Sequence, residues 1–180
     1  MPLDLFCSAC GASLPRTTPV TCPACGTTHW RDPKPCAGAA VTHNGKLLMV
    51  RRSHEPWGGC WDVPGGFLNN NEHPITTAER EVLEETGLAI RVTGFLGIWL
   101  DEYGEGANEK STLNIYYHAV PADGDTTNPD PTEVAEVGWF APDRLPARIA
   151  FPSHIANVLR AWRETYLLQR TVTPLHDRPK

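Results

Sequence analysis

Residues 66–88 read GFLNNNEHPITTAEREVLEETGL, and this stretch is the most informative about the fold of the chain. Pro74 suits the first turn of an α-helix and Gly87 suits its C-terminal end, so the sequence predicts a helix of about 13 residues between them. Small and apolar residues recur along one side of this helix. We expect that side to face the core; it comprises Ile75, Ala78, Val82 and Thr86.

Three carboxylates share another side of the predicted helix. At about 100° per residue, Glu81, Glu84 and Glu85 fall within an arc of about 100°. Like charges at this spacing repel each other by roughly 0.2–0.5 kcal/mol per pair, so we expect something to compensate. Mg²⁺ prefers carboxylates together with phosphate oxygens, and such a metal polarises phosphorus and lowers the pKa of bound water. The pattern indicates a metal site for a phosphate substrate; a solvated acidic helix face is the alternative.

The spacing of the whole stretch resembles the Nudix box, G-x5-E-x7-R-E-U-x-E-E-x-G-U, where U is an aliphatic residue. Every specified position from Gly66 to Leu88 matches. The resemblance implies an α/β fold, the Nudix α/β/α sandwich with a mixed β-sheet. It also implies hydrolysis of a pyrophosphate bond with Mg²⁺ or Mn²⁺ as the catalytic cofactor.

The same resemblance implies roles for single residues of the box. The metal ligands would be Glu81, Glu84, Glu85 and the carbonyl of Gly66, with Glu81 or a downstream carboxylate aiding the attacking water. A salt-bridged pair would fix the loop against the helix, formed by Arg80 and Glu72.

Residues on either side of the box are weaker candidates for the site. The lead-in Trp61–Gly66 and the later Glu136–Phe140 both resemble family segments. Glu136 or Glu133 is a candidate extra ligand or general base, with a merely solvated loop glutamate as the alternative. Side chains that could hold phosphate or stack on a ring of the substrate are Arg51, Arg52, Trp57, Trp99 and Tyr103.

Two Cys-x-x-Cys pairs lie near the N-terminus, Cys7 with Cys10 and Cys22 with Cys25. Each pair precedes a glycine, and two such turns can place four thiolates around one zinc ion. The sequence predicts a structural zinc ribbon over residues 1–33, with two disulfides or unrelated thiols as alternatives. Cys36 and Cys60 fall outside this pattern and are expected to be small, partly buried side chains.

The remaining chain is predicted to form the Nudix domain over residues 34–170 and a loose tail over 171–180. A final helix is expected within residues 149–170, with Ser153 as its N-cap. Runs of β-branched and apolar residues predict five strands. These are Ala37–Thr42, Lys46–Arg51, Ile90–Leu100, Thr112–Val120 and Val137–Phe140.

The order of ribbon, Asp32–Pro35 and box resembles the ribbon-bearing Nudix branch that includes ADP-ribose and FAD pyrophosphatases. NADH pyrophosphatases share this order, but their Ser-Gln-Pro-Trp-Pro-Phe-Pro run is absent here. ADP-ribose or FAD is therefore the favoured substrate, with NADH or a dinucleoside polyphosphate as further candidates. The resemblance also suggests a homodimer.

Composition narrows the classes of partner. A net charge of −5 disfavours a broad nucleic-acid surface. The start of the chain lacks a basic head and an apolar run, and we expect a cytoplasmic protein with no membrane partner. Two other functions stay open: an inactive Nudix-fold nucleotide sensor, and an RNA or protein adaptor led by the ribbon.

Overall fold

The computed structural model describes residues 6–15, 19–30, 32–103 and 110–171, without the side chains of residues 103, 110 and 169–171. The predicted tail, residues 171–180, lies outside this description except for the backbone of Thr171. By its contacts the chain divides into two compact units. The smaller comprises Met1–Lys34 and Glu102–Thr112, and the larger comprises Pro35–Asp101 and Leu113–Lys180. The domain boundaries given by the sequence stay predictions.

The smaller unit contains a two-stranded antiparallel sheet of β1 (Val20–Thr21) and β2 (Thr28–His29). Strands of two residues carry no alternating pattern, so the sequence could not predict them. Among the described residues of this unit the buried apolar cluster is small, and half of its members are cysteines: Cys7, Leu14, Val20 and Cys22.

One seven-stranded sheet forms the larger part of the fold. Its strands pair in the order β5-β4-β3-β8-β7, while β6 pairs with β3 and β9 pairs with β4. All five predicted strands are present, and each is longer than predicted. The bounds are β3 Lys34–His43, β4 Lys46–Arg52, β5 Trp61–Asp62, β6 Gly65–Phe67, β7 Ile90–Tyr103, β8 Lys110–Pro121 and β9 Val134–Phe140.

The first helix, α1 (Pro74–Thr86), follows the prediction from the sequence. The His73 ring accepts a hydrogen bond from the backbone N–H of Ile75 at 3.2 Å, and Gly87 ends the helix with a φ of 70°. Glycine adopts this left-handed conformation without the clash that a Cβ would cause. The buried side of the helix comprises Thr77, Ala78, Val82 and Thr86.

The second helix, α2, runs from Pro152 to Thr171, so the prediction of Ser153 as its N-cap is wrong. Pro152 takes the first helical position, which its fixed φ favours. The Phe151 carbonyl then accepts the first helical hydrogen bonds, from the N–H groups of His154 and Ile155. The Ser153 hydroxyl instead donates to Asp101 Oδ1 at 2.6 Å.

Two apolar clusters pack the helices against the sheet. Successive side chains of β3 point to opposite faces of the sheet. Ala39 and Val41 therefore pack in the cluster that contains residues of α1, and Ala40 packs in the cluster that contains residues of α2. This is the layered Nudix fold that the resemblance implies, with a mixed sheet between helices. Among the described residues, no helix has both the length and the apolar character to cross a membrane.

Candidate active site

The site is built where two paired strands, β3 and β6, come very close together at glycine residues; we call this point the glycine crossing. β6 pairs antiparallel with β3, with Gly65 opposite Gly38 and Gly66 opposite Ala37. A Cβ on Gly65 would lie 2.6 Å from Gly38 Cα, which is closer than atoms can approach. Only glycine therefore allows the two backbones to pass here, and the crossing fixes the turn Pro64–Gly66 in front of α1.

Two of the predicted metal ligands reach this turn from α1. The backbone N–H of Gly65 donates to Glu85 Oε2 at 3.1 Å. The Glu81 carboxylate lies against Gly66, since a Cβ there would meet its carbon and both oxygens at 2.5 Å. Glu84 is more open, with 54% of its side chain exposed. The fold thus brings residues of α1 to the glycine turn from which the sequence separates them by 15 positions for Glu81 and Gly66 and by 20 positions for Glu85 and Gly65.

This arrangement fits a divalent metal. The space beside Gly66 that a Cβ would fill holds the Glu81 carboxylate, and the predicted ligands are carboxylate and backbone oxygens. Oxygen donors of this kind suit Mg²⁺ or Mn²⁺ and not a soft metal. Glu81, Glu84, Glu85 and the Gly66 carbonyl could therefore hold the ion.

Arg80 connects these carboxylates to the loop before the helix. Its Nε and Nη2 donate to the two oxygens of Glu72 at 2.8 Å and 2.9 Å, and Nη2 also donates to the Phe67 carbonyl at 3.1 Å. Its Nη1 donates to Glu81 at 2.8 Å and to Glu84 at 2.7 Å. The ion pair of Arg80 with Glu72 that the resemblance implies is present, and the guanidinium is shared with two candidate ligands.

The electrostatics of the site follow from burial and crowding of negative charge. Burial raises the pKa of the Glu81 carboxyl against the pull of Arg80. Burial, followed by the charges of Asp62 and Glu81, raises the pKa of Glu85 well above its usual range. Carboxylates that resist ionisation in the metal-free protein gain most from a bound cation.

Asp62 is a residue of this site that the sequence analysis missed. It is 8% exposed, and burial raises its pKa although the Arg52 charge opposes the rise. Arg52 Nη1 lies 3.5 Å from Asp62 Oδ2. The signal that could have found it was a charged residue in the apolar lead-in to the glycines, where a buried carboxylate needs a partner.

The downstream candidates occupy different positions relative to the carboxylates. Arg51 Nη2 donates to Glu136 Oε2 at 2.8 Å across the β4–β9 pair, so these two predicted substrate residues bind each other. The charge of Glu133 contributes to the raised pKa of both Glu81 and Glu85. A one-residue bulge separates the two glutamates, because Arg51 faces Glu136 while Arg52 faces Val134.

Of the three predicted aromatic contacts, the side chains of two are described. Trp99 packs against the apolar cluster that contains α2, with its ring centroid 6.1 Å from that of Tyr116. Trp57 is 41% exposed, has a φ of 69°, and lies edge-on to the Phe151 ring at 6.2 Å between centroids. A positive φ is costly for a bulky residue and often marks a functional position. Tyr103 ends β7, and its side chain lies outside the described residues.

The four predicted zinc ligands form one group in the smaller unit. The Sγ atoms of Cys7, Cys10, Cys22 and Cys25 all lie within 4.8 Å of one another, as one tetrahedral ion requires. None of the six cysteines is joined in a disulfide, so the disulfide alternative is not present. Hydrogen bonds with Thr27 lower the pKa of the Cys25 thiol to about 6, whereas, against a backbone hydrogen bond with Ala12, the neighbouring thiols raise the pKa of Cys10 to about 12. The group therefore fits a zinc ribbon.

Comparisons with known proteins agree with this geometry. The NUDIX domain family model matches residues 32–162. A MutT-like protein of Streptomyces ambofaciens is 31% identical over 114 residues, covering 63% of this chain and 67% of the relative. The NAD-capped RNA hydrolase NudC of Stutzerimonas stutzeri is 29% identical over 172 residues, covering 94% of this chain. The chain spans 58% of the length of that relative.

A solved structure also covers almost the whole chain. The NUDIX hydrolase of Nitrosomonas europaea is 26% identical and has a TM-score of 0.73, covering 94% of both chains. The likeness therefore extends beyond the box to the described fold as a whole.

Proposed function

Because this chain belongs to the Nudix hydrolase family, we propose that it hydrolyses the pyrophosphate bond of a nucleoside diphosphate derivative with Mg²⁺ or Mn²⁺. The observation that carries the proposal is the meeting of Glu81 and Glu85 with the Gly65–Gly66 turn. The three predicted carboxylate ligands of the box, Glu81, Glu84 and Glu85, are all present on α1, whereas a sensor that does not turn its ligand over has no need of them. We propose that the activity of the whole protein is the hydrolysis carried out at this site.

The box residues hold the metal in this proposal. Glu81, Glu84, Glu85 and the Gly66 carbonyl would bind it, and the ion would supply charge to the phosphate oxygens and a more acidic water. Glu85 is oriented by the Gly65 N–H, and Glu81 is held by Arg80. Arg80 and Glu72 act by fixing the loop against α1 and do not touch the reacting atoms.

We assign the proton-accepting role to Glu133 in preference to Glu136. Glu133 is close enough to Glu81 and Glu85 for its charge to raise their pKa values. It lies in a loop held to Ser53, whose backbone N–H donates to the Glu133 carbonyl at 3.0 Å. Glu136 is engaged by Arg51 and would instead help to position that guanidinium near a substrate phosphate.

ADP-ribose and FAD are the first candidate substrates, and NADH and dinucleoside polyphosphates are the next. The branch resemblance supports the first two, and the name of the NudC relative supports substrates that contain NAD. The partly exposed Trp57 offers a face to a base or an isoalloxazine ring, and Arg51 offers charge to phosphate. Tyr103 stays a candidate on the sequence alone.

The test is a substrate panel with purified protein and either Mg²⁺ or Mn²⁺. The substrates are ADP-ribose, FAD, NADH, diadenosine tetraphosphate and nucleoside triphosphates, with phosphate released by a coupled phosphatase. Strong turnover is expected for one substrate class. Glu85→Gln should lower kcat by about 100-fold or more, while Glu164→Gln, an exposed glutamate on α2, should not.

Three outcomes would count against the assignment. Near wild-type turnover by folded Glu85→Gln would show that the metal site is elsewhere. Metal-independent binding of a nucleotide without turnover of the panel would favour the nucleotide sensor. RNA binding with a steep dependence on salt would favour an adaptor.

We further propose that the cysteine group holds one structural zinc ion per chain. The closed set of four thiolates leaves no open coordination position for a substrate. The homodimer and the cytoplasmic location that were expected from the sequence stay predictions.

A further inference from the structure

A buried polar cluster joins β7 to the first turn of α2. His154 is 5% exposed, and its Nδ1 lies 2.5 Å from Asp101 Oδ2. Ser153 donates to the other oxygen of the same carboxylate. A carboxylate at this distance keeps a proton on Nδ1 and leaves Nε2 to face a different partner. The ring orientation of His154 is therefore fixed from one side by Asp101.

Tyr116 is the partner on the other side of the imidazole. Its hydroxyl lies 3.4 Å from His154 Nε2, and the residue is 6% exposed. With the proton of the imidazole on Nδ1, Nε2 accepts from the tyrosine hydroxyl. Buried polar groups are costly without partners, so the cluster holds Tyr116 in one rotamer.

The ring of Tyr116 lies against the glycine crossing of the site. A Cβ on Gly38 would lie 2.7 Å from Tyr116 Cε1 and 2.6 Å from the Pro64 carbonyl oxygen. Tyr116 and Pro64 therefore close on Gly38 from two directions. Because the ring already lies this close to Gly38, a shift of the tyrosine towards β3 would press on the backbone of this strand pair.

That backbone is the one that orients the candidate metal ligands. The Gly65 N–H holds Glu85, and the Gly66 Cα lies against the Glu81 carboxylate. Mg²⁺ tolerates little departure from its preferred geometry, so small movements of the turn alter affinity. The route from Asp101 to the carboxylates contains only contacts between described residues of the larger unit.

We propose that Asp101 and His154 are positioning residues for the metal site: through Tyr116 they fix the Pro64–Gly66 turn against α1. The inference rests on the proposed function and deepens it, because it names residues outside the box on which that site depends. Neither residue touches the substrate or the metal. The alternative is that the cluster only fastens α2 to the sheet.

The alternative predicts a different result from the same variants. A purely structural bond, once lost, lowers the free energy of unfolding and leaves the folded fraction with normal metal affinity. His154→Asn separates the two readings, because its amide can still donate to Asp101 but is too short to reach Tyr116. Tyr116→Phe keeps the ring against Gly38 and removes only the hydroxyl, so it offers a second variant that folds easily.

The experiment is titration of the substrate-free protein with Mn²⁺, with free ion followed by electron paramagnetic resonance. His154→Asn and Tyr116→Phe should bind Mn²⁺ about 10- to 100-fold more weakly than the wild type, as losses of outer partners of a metal site do. Asn157→Ala is the control, since it removes a side-chain bond to the Ser153 carbonyl within the same helix. Circular dichroism confirms that each variant is folded at the assay temperature.

Turnover of the best panel substrate at saturating metal gives a second readout. A fall in kcat with unchanged KM is expected for both variants, because the substrate contacts are untouched. Wild-type Mn²⁺ affinity and kcat in either folded variant would overturn the inference. If the wild type itself turns over no substrate, the proposed function fails, and the Mn²⁺ titration still decides the inference.

Discussion

At the scale of single residues, two carboxyl groups of the site have opposite environments. Hydrogen bonds from Arg80, followed by the Asn69 N–H, lower the pKa of Glu72 to about 2. Burial raises the pKa of Asp62 despite Arg52. The Glu72 carboxyl is thus held ionised by its hydrogen-bond donors, whereas the Asp62 carboxyl resists ionisation because the cost of desolvation exceeds the attraction of Arg52.

Glu72 should make the free energy of unfolding decrease at low pH. Its folded-state pKa lies below the ordinary 4.5, so its contribution is complete above that value and is lost as pH falls towards about 2. Glu72→Gln should have a lower free energy of unfolding than the wild type at pH 7, and the difference should shrink between about pH 5 and pH 2. Urea unfolding across this range measures it.

The control for this prediction is Glu164→Gln on α2, which should follow the wild type at each pH. If the difference in the free energy of unfolding between Glu72→Gln and the wild type stayed constant across the pH range, the lost hydrogen bonds would affect stability independently of the protonation of Glu72.

At the scale of elements, the crossing of β3 and β6 is the least tolerant point in the fold. Gly38→Ala should destabilise the protein by about 1–3 kcal/mol, because the added Cβ meets both a backbone carbonyl and the Tyr116 ring. Turnover should fall together with stability, since the same backbone orients Glu85. Urea unfolding and the coupled phosphate assay measure the two effects.

A matched substitution on another strand supplies the control. A Cβ on Gly94 in β7 would meet nothing within 4 Å, so Gly94→Ala should leave stability and turnover near wild type. Equal losses in the two variants would mean that strand glycines matter here for a reason other than close approach.

Helix α1 should couple metal binding to pH. Burial raises the pKa of Glu81 and Glu85, so in the metal-free protein their contribution to stability is present at low pH and is lost as pH rises through the raised values. Bound metal compensates the charges that then appear. The rise in Tm caused by Mn²⁺ should therefore grow from pH 5 to pH 8, as measured by thermal denaturation.

In Glu85→Gln, the rise in Tm caused by Mn²⁺ should increase much less between pH 5 and pH 8, because one of the buried charges is gone. A metal-induced rise in Tm that does not change with pH would contradict the assignment of these carboxylates as ligands.

The elements also show how far the sequence could predict the fold. Helix α1 was predicted correctly because Pro74 and Gly87 act locally, through fixed φ and tolerance of positive φ. The N-cap of α2 was predicted wrongly because Ser153 is claimed by Asp101, a residue of another element. Local signals thus failed where a distant partner offered the stronger bond.

The candidate site shows the same division. The spacing of the box predicted which carboxylates share a helix face, since helical geometry alone fixes it. The burial of Asp62 and the contact of Tyr116 with Gly38 arise from pairing of strands far apart in the chain, which no local pattern reports. The bulge that separates Glu133 from Glu136 is likewise a property of the β4–β9 pair.

At the scale of the whole molecule, the two units differ in how they are stabilised. The larger has two apolar clusters with helices packed on a sheet. Among the described residues of the smaller, the apolar cluster comprises Cys7, Leu14, Val20 and Cys22, which is too small for a core that holds without metal. We expect the fold of the smaller unit, and not that of the larger, to depend on a bound zinc ion.

Zinc removal should therefore act on one unit. The purified protein should contain one zinc per chain by mass spectrometry of metals, and a strong chelator should abolish amide-exchange protection around Val20 and Thr28. Protection in β3 and β4 should persist. Cys36→Ser is the control, because that thiol lies outside the group. Unchanged protection in the smaller unit after complete zinc loss would refute a structural role for the ion.

The shared guanidinium of Arg80 has a consequence for how the site is loaded. Its Nη1 is already hydrogen-bonded to Glu81 and Glu84, so a metal ion held by these carboxylates would have to share them with an internal cation. Because the same guanidinium also holds the Phe67 carbonyl and Glu72, a change at these carboxylates would reach the loop before α1 through a single side chain.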